Sequence, residues 1–310
     1  MRRMLMFAAM LLSAAPLTAQ SRLETFTLRS ELLGAEKSCT IYLPDGFDAD
    51  PTRRYPVLYL LHGASDTHTA WSEPTKGQMQ QILDEAIAEG RSVKMVVVMP
   101  DASGEDENHT GRHMGYYNVP DWPYERFFFE ELMPAVERRY RIRSEKQSRA
   151  IAGLSMGGGG TATYAQHHPE LFSSACPLSA AMEPRPIPGD PNDYERSRIE
   201  NSPLRFLQQM TDEQAAALRT VRWRVDCGDD DFLWQGNIRF YEQMRLHNIP
   251  LEYRMRDGGH TWRYWRTALP EVLTFVSIGF GTEYNGNRAG PKGIRCAASK
   301  RKTATSPFTG

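Results

Sequence analysis

The run Gly153-Leu154-Ser155-Met156-Gly157 follows the apolar segment Ala150-Ile151-Ala152 and opens a glycine-rich stretch. A serine flanked by glycines at this spacing fits a sharp strand-to-helix turn, where the flanking backbone is too crowded for side chains. Such a turn lifts the hydroxyl out of the sheet and sets it at a helix N-terminus. Free N–H groups and the positive end of the helix dipole there favour a developing anion. This is the geometry of an acyl-transfer nucleophile, and it makes Ser155 the first candidate catalytic residue.

The rest of the chain supplies the scaffold such a turn requires. Strand-like runs are expected at Ser38–Leu43, Val57–His62, Lys94–Met99, Arg149–Leu154, Ser173–Ser179, Val221–Cys227 and Leu251–Met255. Helical spacing marks Gln78–Ala88, Tyr124–Tyr140 (despite Pro134), Met156–His167, Leu233–Leu246 and Trp262–Ile278. Alternating strands and helices predict a mostly parallel sheet covered on both faces. With the serine turn, the expectation is an α/β-hydrolase fold. Residues 183–219, with the Pro-rich stretch Glu183–Pro191 and a short helix near Asp212–Leu218, interrupt the alternation and read as an insertion over one edge.

A serine hydroxyl needs a base to take its proton, and in this fold the order along the chain is Ser, then Asp or Glu, then His. His260, in Gly258-Gly259-His260-Thr261-Trp262, follows one predicted strand and is the candidate base. Asp229, Asp230 and Asp231 follow another; Asp231 or Asp230 would orient the imidazole, and the others would cap the helix starting near Leu233. The backbone N–H groups of Met156 and Ala64 are the expected oxyanion donors. His62, just before a glycine turn, reads as a structural hydrogen-bonding residue.

Both ends look separable from this core. Arg2 and Arg3 precede an apolar run from Met4 to about Leu17, so residues 1–19 read as a secretory signal and the protein as exported, periplasmic or secreted. That run is short for a stable membrane span. Residues 282–310 lose periodicity and become basic, as a disordered tail does. The formal charge is −1 overall; with the leader at +2 and the tail at +5, the catalytic domain at 20–281 carries −8. A core so acidic does not suit nucleic acid. Cys39, Cys176, Cys227 and Cys296 match no metal or redox spacing, and buried free thiols are expected for those in strands.

Leu60-Leu61-His62-Gly63 with Trp71, Glu131-Leu132-Met133-Pro134, Gly153-Leu154-Ser155-Met156-Gly157-Gly158, Cys227-Gly228-x-x-Asp231-Phe232-Leu233 and His260-x-Trp262 together resemble the esterase group of α/β hydrolases. That group includes the feruloyl and acetylxylan esterases of carbohydrate esterase family 1, S-formylglutathione hydrolases, enterochelin esterases and mycolyltransferases. The resemblance covers roughly residues 35–280 and implies a Ser–Asp–His esterase that needs no cofactor or metal, with its acid on Asp231. The leader argues against the cytosolic S-formylglutathione hydrolases. Trp71, Tyr116, Tyr117, Trp122 and Trp262, with Trp265, are expected on the rim, where flat rings would bind sugar or ferulate. The expected substrate is therefore a feruloylated or acetylated polysaccharide such as xylan. An acyltransferase using a sugar hydroxyl and a non-catalytic carbohydrate-binding protein are the alternatives.

Overall fold

The computed structural model describes residues 20–104, 115–119, 121–183 and 193–281. The expected leader, the expected tail with Cys296, and residues 184–192 of the expected insertion lie outside the described residues. The strands are β1 (Arg22–Arg29), β2 (Glu36–Leu43), β3 (Val57–Leu61), β4 (Val96–Pro100), β5 (Asn118–Val119), β6 (Trp122–Pro123), β7 (Arg149–Leu154), β8 (Ser174–Leu178), β9 (Arg222–Gly228) and β10 (Leu251–Arg256). β5 and β6 form a small hairpin; the other eight build one sheet in the order β1-β2-β4-β3-β7-β8-β9-β10. β1 and β2 run antiparallel to their neighbours, and every pairing from β4 across to β10 is parallel.

The mostly parallel sheet follows from its strands. β3, β4, β7 and β8 are buried along their whole length, as strands covered on both faces must be. Along β3, Leu58 and Leu60 point into one apolar cluster, while Val57, Tyr59 and Leu61 point into the other. The first cluster is completed by α1 (Met79–Ala88) and α9 (Trp262–Gly279). The second lies under the composite helix α2 (Tyr124–Arg126), π-helical Phe127–Leu132 and α3 (Met133–Arg139), and under α4 (Met156–His167) and α8 (Trp234–Leu246).

Three departures from the sequence reading have physical causes. β1, which that reading lacks, has mixed charged and apolar residues with only one neighbour, so it carries no continuous apolar run. The helix at 124–139 continues past Pro134, but with a wide π-helical stretch just before it. Proline donates no N–H and crowds the carbonyl four residues back, and looser winding accommodates that. The segment after residue 192 is not draped over an edge. Its helices α5 (Asp193–Glu200), α6 (Pro203–Gln209) and α7 (Asp212–Leu218) include α6 packed on α4 and α8, and Leu207, Ala215 and Leu218 enter the main core. Ser202 caps α6 and Thr211 closes a capping box on α7, so short polar helices keep their ends satisfied.

Cys39, Cys176 and Cys227 are buried free thiols. On neighbouring strands β8 and β9, Cys176 and Cys227 are out of register, since Ala175 faces Trp223 and Leu178 faces Asp226. Burial pushes the Cys176 thiol up to about 12 and raises the other two as well. A thiol-reactive chromophore added to the native protein should therefore leave these three unlabelled, and all three should react on unfolding. Rapid native labelling of Cys176 would contradict this packing.

Candidate active site

Ser155 sits between the last residue of β7 and the first of α4 with φ 55° and ψ −116°. A positive φ is strained for a residue with a Cβ, so the neighbours must hold it. The Ser155 N–H donates to the Leu178 carbonyl at 2.9 Å, and its own carbonyl accepts from Gly159 and Ala181, each at 3.0 Å. The turn can pack this closely only without side chains on either side. A Cβ on Gly157 would lie 2.5 Å from the His62 carbonyl oxygen, and one on Gly153 would lie 2.5 Å from the Gly157 carbonyl oxygen.

The end of β9 and the loop after β10 converge on this turn. His260 Nε2 lies 2.9 Å from Ser155 Oγ, and His260 Nδ1 lies 2.8 Å from Asp231 Oδ2. A carboxylate only accepts, so Nδ1 carries the proton toward Asp231 and Nε2 is free to accept from the serine hydroxyl. Asp231 is fully buried, and its Oδ1 also accepts from the Leu233 N–H at 2.9 Å. Burial raises its pKa, but the bonds from His260 and Leu233 outweigh this and hold the carboxyl below its usual range.

The three adjacent aspartates divide their work differently from the sequence reading. Asp231 alone of them meets the imidazole; Asp229 and Asp230 are exposed. Neither caps α8, whose first turn has no side-chain cap. Asp229 instead accepts from the Gly258 N–H at 3.1 Å and ties the His260 loop to the end of β9.

Beside Ser155 stands the loop His62-Gly63-Ala64. A Cβ on Gly63 would lie 3.4 Å from Ser155 Cβ, so this backbone flanks the hydroxyl. Met156, at the first position of α4, lacks an i−4 helical acceptor for its N–H. His62 is buried and structural in its bonding. Its Nδ1 donates to the Gly63 carbonyl at 2.8 Å, and its Nε2 accepts from the Ala102 N–H at 2.9 Å.

The expected aromatic rim is corrected by burial. Trp71, Tyr116, Tyr117, Trp122 and Trp265 lie inside the protein, and Trp262 is half-buried. Such large rings gain most from full burial: Trp71 and Trp265 join one apolar cluster of the core, and Tyr116 and Trp122 join the other. Trp71 donates to the Leu61 carbonyl at 2.9 Å, and Tyr116 donates to the His62 carbonyl at 3.1 Å. Both therefore brace the segment leading into Gly63 and Ala64 rather than meet a ligand. Trp262 stands edge-on between Trp71 at 5.1 Å and Trp265 at 5.3 Å. Trp122 packs beside Lys37 in the core.

One ring at the site is exposed, and the sequence reading names it only within a motif, with no role. Phe232 is 72% exposed, yet its ring centroid lies 4.5 Å from that of His260. Its signal was its position, a large apolar residue directly after the acid in an otherwise acidic loop.

The Esterase family model, described as Putative esterase, matches residues 30–276. A solved ferulic acid esterase is 42% identical, with a TM-score of 0.80 over 84% of this chain and 99% of its own. An endo-1,4-beta-xylanase/feruloyl esterase of Xylanibacter ruminicola is 33% identical over 153 residues, 48% of this chain and 20% of that protein. An acetyl esterase of Caldicellulosiruptor saccharolyticus is 25% identical over 71% of this chain and 83% of its own length. The chain spans between 20% and 31% of the length of the first three curated relatives it matches.

The loops carrying Asp231 and His260 touch where Gly228 passes Gly258, and a Cβ on Gly228 would fall on the Gly258 carbonyl. Gly228→Ala should thus push the His260 loop away from Ser155. Esterase turnover should fall on the order of a hundredfold, the cost of a misplacement of about 1 Å, with a native circular dichroism spectrum. Wild-type turnover in this variant would show that the loops are not coupled there.

Proposed function

The chain belongs to the Esterase family, and from that premise we propose that it hydrolyses carboxylic esters through Ser155, His260 and Asp231, removing feruloyl or acetyl groups from xylan-type polysaccharides. The observation that carries the reaction is the continuous chain of hydrogen bonds Ser155 Oγ, His260 Nε2, His260 Nδ1 and Asp231 Oδ2. The substrate class is supported by the ferulic acid esterase, the xylanase/feruloyl esterase and the acetyl esterase to which the chain is similar.

In this reading His260 takes the serine proton as Oγ bonds to the ester carbonyl carbon. The oxygen of that carbonyl gains negative charge and is met by the N–H groups of Met156 and Ala64. Collapse breaks the bond to the alcohol, which leaves with the proton from Nε2 and gives an acyl-Ser155. Water then repeats the sequence in reverse, with the same imidazole as base. Asp231 stays ionised throughout because its carboxyl sits below the usual range, so the imidazolium always has a counter-charge. No redox change occurs and every proton is returned.

Export is part of the proposal. Arg2 and Arg3 followed by an apolar run support it, and no helix among the described residues is long and apolar enough to cross a membrane. Intact mass of the protein recovered from outside the cytoplasm should begin at Gln20; a chain retained in the cytoplasm with residues 1–19 intact would overturn this part.

The decisive comparison is hydrolysis of methyl ferulate and p-nitrophenyl acetate by the wild type, Ser155→Ala and Asp231→Asn. Loss of Ser155 should lower kcat on the order of a thousandfold or more, and Asp231→Asn should approach the same scale. Serine-dependent turnover of methyl ferulate identifies an aromatic acyl site, and turnover of acetate alone an acetyl site. Near-wild-type activity in Ser155→Ala would overturn the reading.

A further inference from the structure

We propose that Phe232 is the platform for the alcohol portion of the substrate, and that this portion is a neutral sugar ring. The inference rests on the reading of Ser155, His260 and Asp231 as the reacting groups, and it deepens that reading on the leaving-group side.

Among the described residues two rings contact the imidazole, and their surroundings separate their roles. Trp265, 4.9 Å from His260, is buried, and its indole N–H is tied to Ser179 Oγ at 2.9 Å. It belongs to the scaffold. Phe232, at 4.5 Å, has no polar group to anchor it and is mostly in solvent. Isolated exposed apolar residues are ordinary on surfaces. Phe232 stands apart because, among the described residues, the ring it packs on is the imidazole that touches Ser155 Oγ.

The chemistry fixes which half of an ester would meet it. The departing oxygen must receive its proton from His260 Nε2, so the alcohol lies on the imidazole side of Ser155. The acyl oxygen lies instead toward Met156 and Ala64. A ring resting on the imidazole therefore faces the alcohol, not the acyl group. An exposed aromatic face takes the C–H face of a pyranose or furanose by dispersion and by its negative quadrupole. Asp229 and Asp230, just before Asp231-Phe232 in the chain, have exposed carboxylates that lie with that of Asp257 within 4.8 Å of one another. They accept hydroxyl hydrogen bonds and repel an anionic alcohol, which favours a neutral sugar.

The test compares two esters of one acid, so that the acyl-enzyme is shared: feruloylated arabinose with methyl ferulate, and acetylated xylobiose with methyl acetate. Phe232→Ala should lower the ratio of kcat/KM for the sugar ester over the methyl ester by roughly five- to tenfold, the scale of one aromatic contact. Phe232→Tyr, which keeps the ring, should restore the ratio. An equal loss on both esters would make Phe232 a support for His260 and overturn the proposal, and so would an unmoved ratio. Turnover of neither pair by the wild type would overturn the functional reading itself, and the proposal with it.

Discussion

The left-handed turn at Ser155 is the constraint on which the rest of the site depends. A serine does not choose φ 55° unaided. Here β8 fixes it through the Leu178 carbonyl, and the segment after β8 returns through Ala181 to the serine carbonyl. From the other side, the backbone at Leu61 and His62 crosses so close to Gly157 that no side chain fits between them. The strain of one residue is thus shared by three adjacent strands of the sheet, and the central position of β7 makes that possible.

The same economy governs the buried aromatic residues. Trp71 and Tyr116 reach the carbonyls of consecutive residues, Leu61 and His62, immediately before the loop that flanks the hydroxyl. Tyr116 is itself held through its carbonyl by the Tyr164 hydroxyl at 2.7 Å, and Tyr164 lies on α4, the helix that Ser155 opens. A continuous path of packed rings and hydrogen bonds therefore links the loop beside Ser155 to the helix behind it. Such a path fixes the backbone beside the Ser155 hydroxyl, so the proposed donor at Ala64 would be preorganised before charge develops.

This division explains what could be read before folding. The parallel strands were legible because burial on both faces demands near-continuous apolar runs, as in Val57–Leu61 and Val96–Pro100. The meeting of Ser155 and His260 was legible because each follows a strand beside glycines, where the chain turns. Between Asp230 and Asp231 the residues alone left both open, with Asp231 favoured: adjacent carboxylates differ only in direction, and one faces solvent while the other is fully buried. The aromatic residues misled for a related reason. In loops there is no periodicity to say which way a ring points, so Trp71 and Tyr116 could not be told from Phe232, though the first two are core and the last is surface.

The carboxylate beneath the two loops lies outside the hydrogen-bonded chain of Ser155, His260 and Asp231. Asp226, fully buried on β9, accepts from the Tyr264 hydroxyl at 2.7 Å and pairs with Arg224 at 3.5 Å and with Arg256. Glu271 on α9 joins both arginines, with Arg256 at 2.8 Å. Burying these charges gains little net stability, because desolvation offsets most of the attraction. What the cluster does supply is position. It binds β9, β10 and α9 at the level where the loops carrying Asp231 and His260 leave the sheet. The Tyr264 ring, held by Asp226, lies against Gly258 on one side of the His260 loop. A hydrophobic cluster of equal volume could slide; directional bonds from Tyr264 and two arginines to one carboxylate cannot, and the 2.9 Å contact of His260 with Ser155 stands on that restraint.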